Sequence, residues 1–194
     1  MNELEKIEFR MGQIGTICGL WSHLEYMLAA TIWHLLKIDD EDIGIIVVGG
    51  LGIEQRANMA HNLALKLSAP PDLIAVLATA KTDIREIAGE RNLAVHGVYG
   101  LNTDTMEISA TVHRGKYRGT KQPITLERLQ QIIQEIHSII DALDPILVSH
   151  GVWPELMDEH RTSLKKSLSR IPTDDPTQTQ NQAKPNPPPQ SSGA

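Results

Sequence analysis

The chain has 194 residues, 41% hydrophobic and 4% aromatic, with a formal net charge of −6. Its length suits one domain with a real core, and its charge excludes a general pull toward nucleic acid or anionic membrane, leaving only a local basic patch for either. The single cysteine, Cys18, excludes an intrachain disulfide and a cysteine-built metal cage, and points to a reducing compartment.

The opening MNELEKIEFR lacks the basic-then-apolar layout of a signal peptide. The longest apolar run, Ile43 to Ile53, has eleven residues with four glycines, too short to span a bilayer. A cytoplasmic chain with no membrane partner is the expectation. From Ile7 to Leu35, positions 7, 11, 14, 18, 21, 25, 28, 32 and 35 form one apolar ladder of alternating four and three steps, broken only by Glu25. That spacing predicts a helix of about eight turns. Asp39 to Asp42 break the pattern as a solvated turn that caps the next helix. A shorter helix follows Gly52, with Ile53, Ala57, Ala60, Ala64 and Leu67 on one face.

Pro70-Pro71 ends that helix, and Asp72 is placed to cap another. Its ladder runs through 73, 77, 80, 84, 87, 91, 94 and 98, again with one charged member, Arg91, before Gly97 and Gly100 stop it. Met106, Ile108, Ala110 and Val112 then alternate with mostly polar residues, which predicts a small hairpin over roughly 105–121. A last long helix carries Leu126, Leu129, Ile133, Ile136, Ile140, Leu143 and Leu147, and Trp153-Pro154 opens a short terminal one. The division is a helical domain over 1–150, a short helix within 151–170 and a Pro/Gln/Ser-rich tail over 171–194. That tail holds six of the eleven prolines and no aromatics, so burial cannot offset its ordering entropy.

The chemistry concentrates in Arg91-Asn92-Leu93-Ala94-Val95-His96. On a helix Asn92 and His96 share a face, and the long arginine stem lets Arg91 reach the imidazole. A permanent cation beside an imidazole suits phosphate chemistry, the one stabilising anionic oxygen and the other moving a proton near neutral pH. Spacing alone says little, because Arg56 and His61 repeat it. What distinguishes 91–96 is the polar Asn92, the glycine-closed helix end and the position of Arg91 on an apolar ladder. Two opposite charges, Glu25 and Arg91, each alone on an apolar stripe, predict a partly buried pair within hydrogen-bond reach. The plainer alternative leaves each at the edge of its stripe with its head in water.

Late in an all-helical domain, Arg91-Asn92-x3-His96 followed by Gly97 and an aromatic resembles the signature of the HEPN superfamily. The resemblance covers roughly residues 1–150 and implies an all-α bundle of four to five helices, here with the small β-hairpin before the last long helix. It implies a homodimer whose paired motifs line one cleft, and metal-independent cleavage of RNA of the toxin–antitoxin or phage-defence kind. Other members are catalytically silent and bind RNA, nucleotide or protein. Carried over, Arg91 stabilises the pentavalent phosphate, His96 is the general base or acid for attack by the 2′-hydroxyl, and Asn92 orients His96 or contacts phosphate. Glu25, inferred from its ladder, orients Arg91. An antitoxin or regulatory protein is a further partner class, although toxins paired with nucleotidyltransferase antitoxins often carry tyrosine two residues after the histidine. Here Val98 stands there, with Tyr99 one later. The stretch from His113 to Lys121 gathers Arg114, Lys116, Tyr117 and Arg118, a candidate grip on a phosphate backbone. Trp21, Tyr26 and Trp33, at helical spacing, are read as packing, and the histidines show no metal-ligand pairing, so neither a metal nor a cofactor is assigned.

Overall fold

The apolar periodicity that begins at Ile7 belongs to one helix, α1 (Glu3–Leu36), 34 residues and roughly 50 Å long. The computed structural model describes residues 3–101, 108–111 and 121–152. The expected terminal helix over 153–170, the tail over 171–194 and most of the basic stretch, including Arg114, Lys116, Tyr117 and Arg118, lie outside them. Four more helices follow: α2 (Glu41–Val48), α3 (Ile53–Lys66), α4 (Pro71–His96) and α5 (Leu126–Ser149). Between α4 and α5 three short strands, β1 (Val98–Leu101), β2 (Ile108–Thr111) and β3 (Lys121–Pro123), form an antiparallel sheet in that order. The fold is an all-α bundle with a small sheet, and no helix among the described residues is long and apolar enough to cross a membrane.

Helix α1 packs against α3, α4 and α5, and at Trp33 against α2. Serving several neighbours widens its apolar arc beyond one ladder. Ile17, Leu20, Leu24, Met27 and Thr31 are all at most 1% exposed and form the centre of the buried face. Thr31 satisfies its hydroxyl by donating to the Met27 carbonyl at 2.8 Å. The ladder expected from the sequence runs along the flank of that face in the first half of α1, where Met11 is 46% exposed and Ile7, Ile14, Cys18 and Glu25 are half-buried. Only from Trp21 onward, at Leu28 and Ile32, does it enter the core.

Asp40 caps α2, its carboxylate accepting from the Ile43 N–H at 3.1 Å. Asp72 does not cap α4. Pro70 occupies that position, Pro71 supplies the first helical residue, and Asp72 sits in the first turn. Its carboxylate instead accepts from Leu73 N–H at 3.0 Å and meets His150 Nε2 at 3.0 Å, tying the start of α4 to the end of α5. The hydrogen bond from His150 holds the Asp72 carboxyl below its ordinary range. On α4 the expected stripe is observed as far as Ala94: Leu73, Leu77, Ala80, Ile84, Ile87 and Ala94 are buried, with Arg91 half-buried among them, but Val98, its last expected member, lies past the helix end in β1 and is exposed. Helix α5, capped by Thr125 through the Arg128 N–H, buries Leu129, Ile132, Ile136, Ile140, Leu143 and Leu147.

Of the hairpin expected over roughly 105–121, β2 lies inside that range, whereas its partner β3 begins only at the range's end and runs on to Pro123, with Ala110 opposite Gln122. The sequence did not disclose β1, which pairs Tyr99 with Ala110 directly after α4. Val98 to Leu101 is four residues with a glycine inside, too short for alternation to register.

Gly44 of α2 supplies a test of how tightly this frame is packed. A Cβ built there lies 2.7 Å from the Trp33 ring, whose Nε1 donates to the Gly44 carbonyl at 2.8 Å. Helix propensity alone makes Gly→Ala stabilising by about 1 kcal/mol. We expect Gly44→Ala to destabilise by about 1–3 kcal/mol in urea unfolding, the usual scale of overpacking, whereas Gly50→Ala, with open space around it, stays near neutral.

Candidate functional site

The last turns of α4 are held from three sides. Arg128 of α5 bonds Glu90, the neighbour of Arg91, and reaches Glu135 at 3.2 Å. Hydrogen bonding to Glu90 raises the Arg128 pKa above its ordinary value. From β1, the Tyr99 hydroxyl donates to the carbonyl of Ala94. Burial, with the nearby Cys18 adding to it, pushes the Tyr99 phenol up to about 12, so the donor keeps its proton. From β2, Ala110 packs on Gly97, where an added Cβ falls 2.7 Å from Ala110 Cβ and 2.5 Å from the Leu93 carbonyl oxygen. Gly97 has an ordinary φ of −66°. The glycine is needed there for close approach and not for a left-handed turn.

Arg91 projects from this helix end toward α1. Its guanidinium carbon lies 5.0 Å from the centroid of the Trp21 ring, a cation–π contact with a side chain that is itself 2% exposed. One terminal nitrogen, Nη1, donates to Asn92 Oδ1 at 3.1 Å and meets His96 Nε2 at 3.3 Å. A guanidinium can only donate, so in this arrangement His96 Nε2 is the acceptor and the ring proton sits on Nδ1. Burial lowers the Arg91 pKa, opposed by the nearby Cys18 and Glu25. Its Nε–H is buried without a hydrogen-bond partner. The site is therefore a partly desolvated cation with an unspent donor, beside an imidazole nitrogen at an exposed helix end. Among the described residues nothing accepts from that N–H, so an oxyanion drawn against the guanidinium would supply the missing acceptor.

Arg91, Asn92 and His96 are thus brought together. Glu25 is near enough to act on Arg91 through its charge, but no hydrogen bond or ion pair joins them, and the expected buried pair is corrected. The flat guanidinium lies on Trp21, one turn earlier on α1, and its Nη1 is drawn along α4 to Asn92 and His96. Glu25 itself is half-buried, at the flank of α1 and not in its core. The repeated spacing at Arg56 and His61 makes no comparable site. Arg56 donates to the carbonyls of Leu51 at 3.0 Å and Glu25 at 3.3 Å, fastening the loop before α3 to α1. His61 meets Lys81 Nζ at 3.3 Å, and burial together with that cation lowers its pKa. Tyr26 and Trp33 pack edge-to-face at 6.1 Å. Trp21 does more than pack, because it carries Arg91. Among the described residues, no group of three or more His, Cys, Asp or Glu side chains is placed to hold a metal ion.

Sequence reasoning missed Trp21 and Tyr99 as parts of the site. Trp21 stands one step before Glu25 on the same ladder, and that shared flank was the available signal. Scanning the chain against protein-family models gives no match, nor does comparison with curated proteins or with solved structures.

The Tyr99 bond fixes the sign of a pH effect. Unfolded tyrosine loses its proton near pH 10 and folded Tyr99 near 12. Between those values the folded state holds more protons, so its stability falls as pH rises. Tyr99→Phe should lower stability at neutral pH by about 1 kcal/mol, the scale of one hydrogen bond. It should also remove part of the alkaline decline, as read by melting temperature against pH from 9 to 12.

Proposed function

We propose that this chain is a metal-independent endoribonuclease of the HEPN type, working as a homodimer in the cytoplasm. The observation that carries the reading is the half-buried Arg91 guanidinium, with one N–H unpartnered, in contact with His96. In this reading a phosphate of single-stranded RNA takes the free Nε–H and draws the guanidinium toward itself. That movement releases His96 Nε2, whose lone pair accepts the 2′-hydroxyl proton. The 2′-oxygen then attacks phosphorus and the P–O5′ bond breaks. The departing 5′-oxygen takes up a proton, leaving a 2′,3′-cyclic phosphate and a 5′-hydroxyl. Asn92 Oδ1 accepts from Arg91 and so orients the cation, a role different from the orientation of His96. Glu25 adds a charge that favours the guanidinium without touching it. Arg114, Lys116, Tyr117 and Arg118, between β2 and β3 in the chain, are the residues we assign to gripping the RNA backbone. An antitoxin or regulatory protein belongs to the same reading.

A second reading, a catalytically silent module of the same fold that binds RNA, nucleotide or protein, is favoured by one feature. Arg91 itself occupies the His96 nitrogen that catalysis needs. The two readings separate on cleavage. Wild type should cut bulk RNA in chelator and leave cyclic phosphate ends, and His96→Ala should slow this by roughly 100-fold or more. Equal rates for the two proteins leave the silent module.

The second copy has its own support. Gly12, Gly15 and Gly19 lie exposed on one face of α1, with nothing within 4 Å of an added Cβ at any of them. Each helical glycine costs about 1 kcal/mol against alanine, a cost that solvent does not repay and a closely packed helix does. Sedimentation should therefore show a dimer for wild type and a monomer for Gly19→Leu, with the melting temperature of the variant's fold undiminished. A dimer that survives Gly19→Leu removes this face from the interface.

A further inference from the structure

A cavity of about 160 Å³ opens beside the Arg91 cluster. It is lined by Ile7, Met11 and Ile14 of α1, Tyr99 of β1 and Leu129 of α5, with Arg10 its one charged lining residue. Met11 is 46% exposed, so the cavity communicates with solvent. Its position follows from helix geometry. Ile7, Ile14 and Trp21 are seven residues apart and share one face of α1, so the cavity and the ring under Arg91 are about two turns, roughly 10 Å, apart. Tyr99 links them directly. It lines the cavity, and its hydroxyl bonds the carbonyl of Ala94, two residues before His96.

We propose that this cavity receives one unstacked nucleobase of the RNA whose phosphate meets Arg91 and His96. The inference rests on the ribonucleic-acid reading above and adds to it a base subsite. Three observations choose the occupant. Cavities of roughly 150 Å³ with aliphatic walls admit a single aromatic ring, which a base supplies and a bulky peptide segment does not. Arg10 makes no hydrogen bond or ion pair within the described residues and offers its guanidinium to the adjoining phosphate. The walls carry almost no polar groups beyond Arg10, so the base is held by its face and its polar edge stays at the solvent-open mouth. Recognition here is by contact area and stacking, tolerant of base identity.

The test uses the full-length wild-type protein and two labelled octamers of 2′-O-methyl RNA, which cannot be cut because the attacking hydroxyl is blocked. One octamer is all-adenine and the other is abasic with the same backbone charge. Fluorescence anisotropy should show the adenine octamer binding roughly tenfold tighter than the abasic one. Met11→Asp, at an exposed position of α1, should abolish that ratio while leaving the thermal transition in place. Arg10→Gln should weaken both octamers alike and reduce the salt slope by about one. Equal affinities for the two octamers in wild type, or an adenine advantage that survives Met11→Asp, overturns the base subsite. The outcome is separable from the catalytic question. Cleavage in chelator without an adenine advantage keeps the ribonuclease and discards the cavity, whereas an adenine advantage without cleavage keeps the cavity as the base site of a silent module.

Discussion

The resting of the Arg91 guanidinium on the Trp21 ring is the contact around which the site is arranged. A cation taken half out of water needs a substitute for its lost hydration, and a carboxylate is the usual one. Here the negative face of a buried indole, one amide oxygen and one imidazole nitrogen replace it. None of these neutralises the charge. The arginine therefore stays electrostatically hungry, which a tight ion pair with Glu25 would have prevented. A guanidinium already satisfied by a carboxylate is a poor phosphate ligand, because the incoming anion must first displace a competitor of the same sign.

Holding Arg91 in that position requires the end of α4 to stay fixed, and the surrounding elements supply the constraint. Glu90 is clamped by Arg128, Ala94 by Tyr99, and Gly97 by the close approach of Ala110. The small sheet thus has a function beyond closing the chain between α4 and α5. Its first strand delivers Tyr99 under the helix end, and its second presses on the one residue whose lack of a side chain permits the contact.

Helix α1 divides its surface between two tasks. Ile17, Leu20, Leu24 and Met27 anchor the bundle, and the adjoining flank, from Ile7 through Ile14 to Trp21, lines the cavity and carries the arginine. That flank is half covered at Ile7 and Ile14 and becomes buried only at Trp21. The contrast between the two Arg-x4-His pairs shows the same division by environment. Arg56 spends its donors on backbone carbonyls and His61 faces a lysine, so identical spacing yields a fastening in one place and a direct Arg–His contact in the other.

From the residues alone came the long helices α1, α4 and α5, the shorter α3 and the stripe of α4 that buries Leu73 through Ala94. The grouping of Arg91 with Asn92 and His96 at a glycine-closed helix end was legible there too. These are local properties, set by periodicities of three and four residues and by punctuation at Pro71 and Gly97, and they survive any tertiary arrangement. Tertiary packing decided the rest. Which of two adjacent ladders on α1 faces the core depends on how many neighbours that helix serves, so Glu25 and Ile14 lie on a flank that no periodicity marks as such. That Arg91 settles on Trp21 instead of Glu25 depends on angles between α1 and α4. That Tyr99 reaches back to Ala94 depends on a four-residue strand in which Tyr99 pairs with Ala110, eleven positions away. Local pattern specifies which side chains are available; the packing of helices at fixed angles specifies which of them meet.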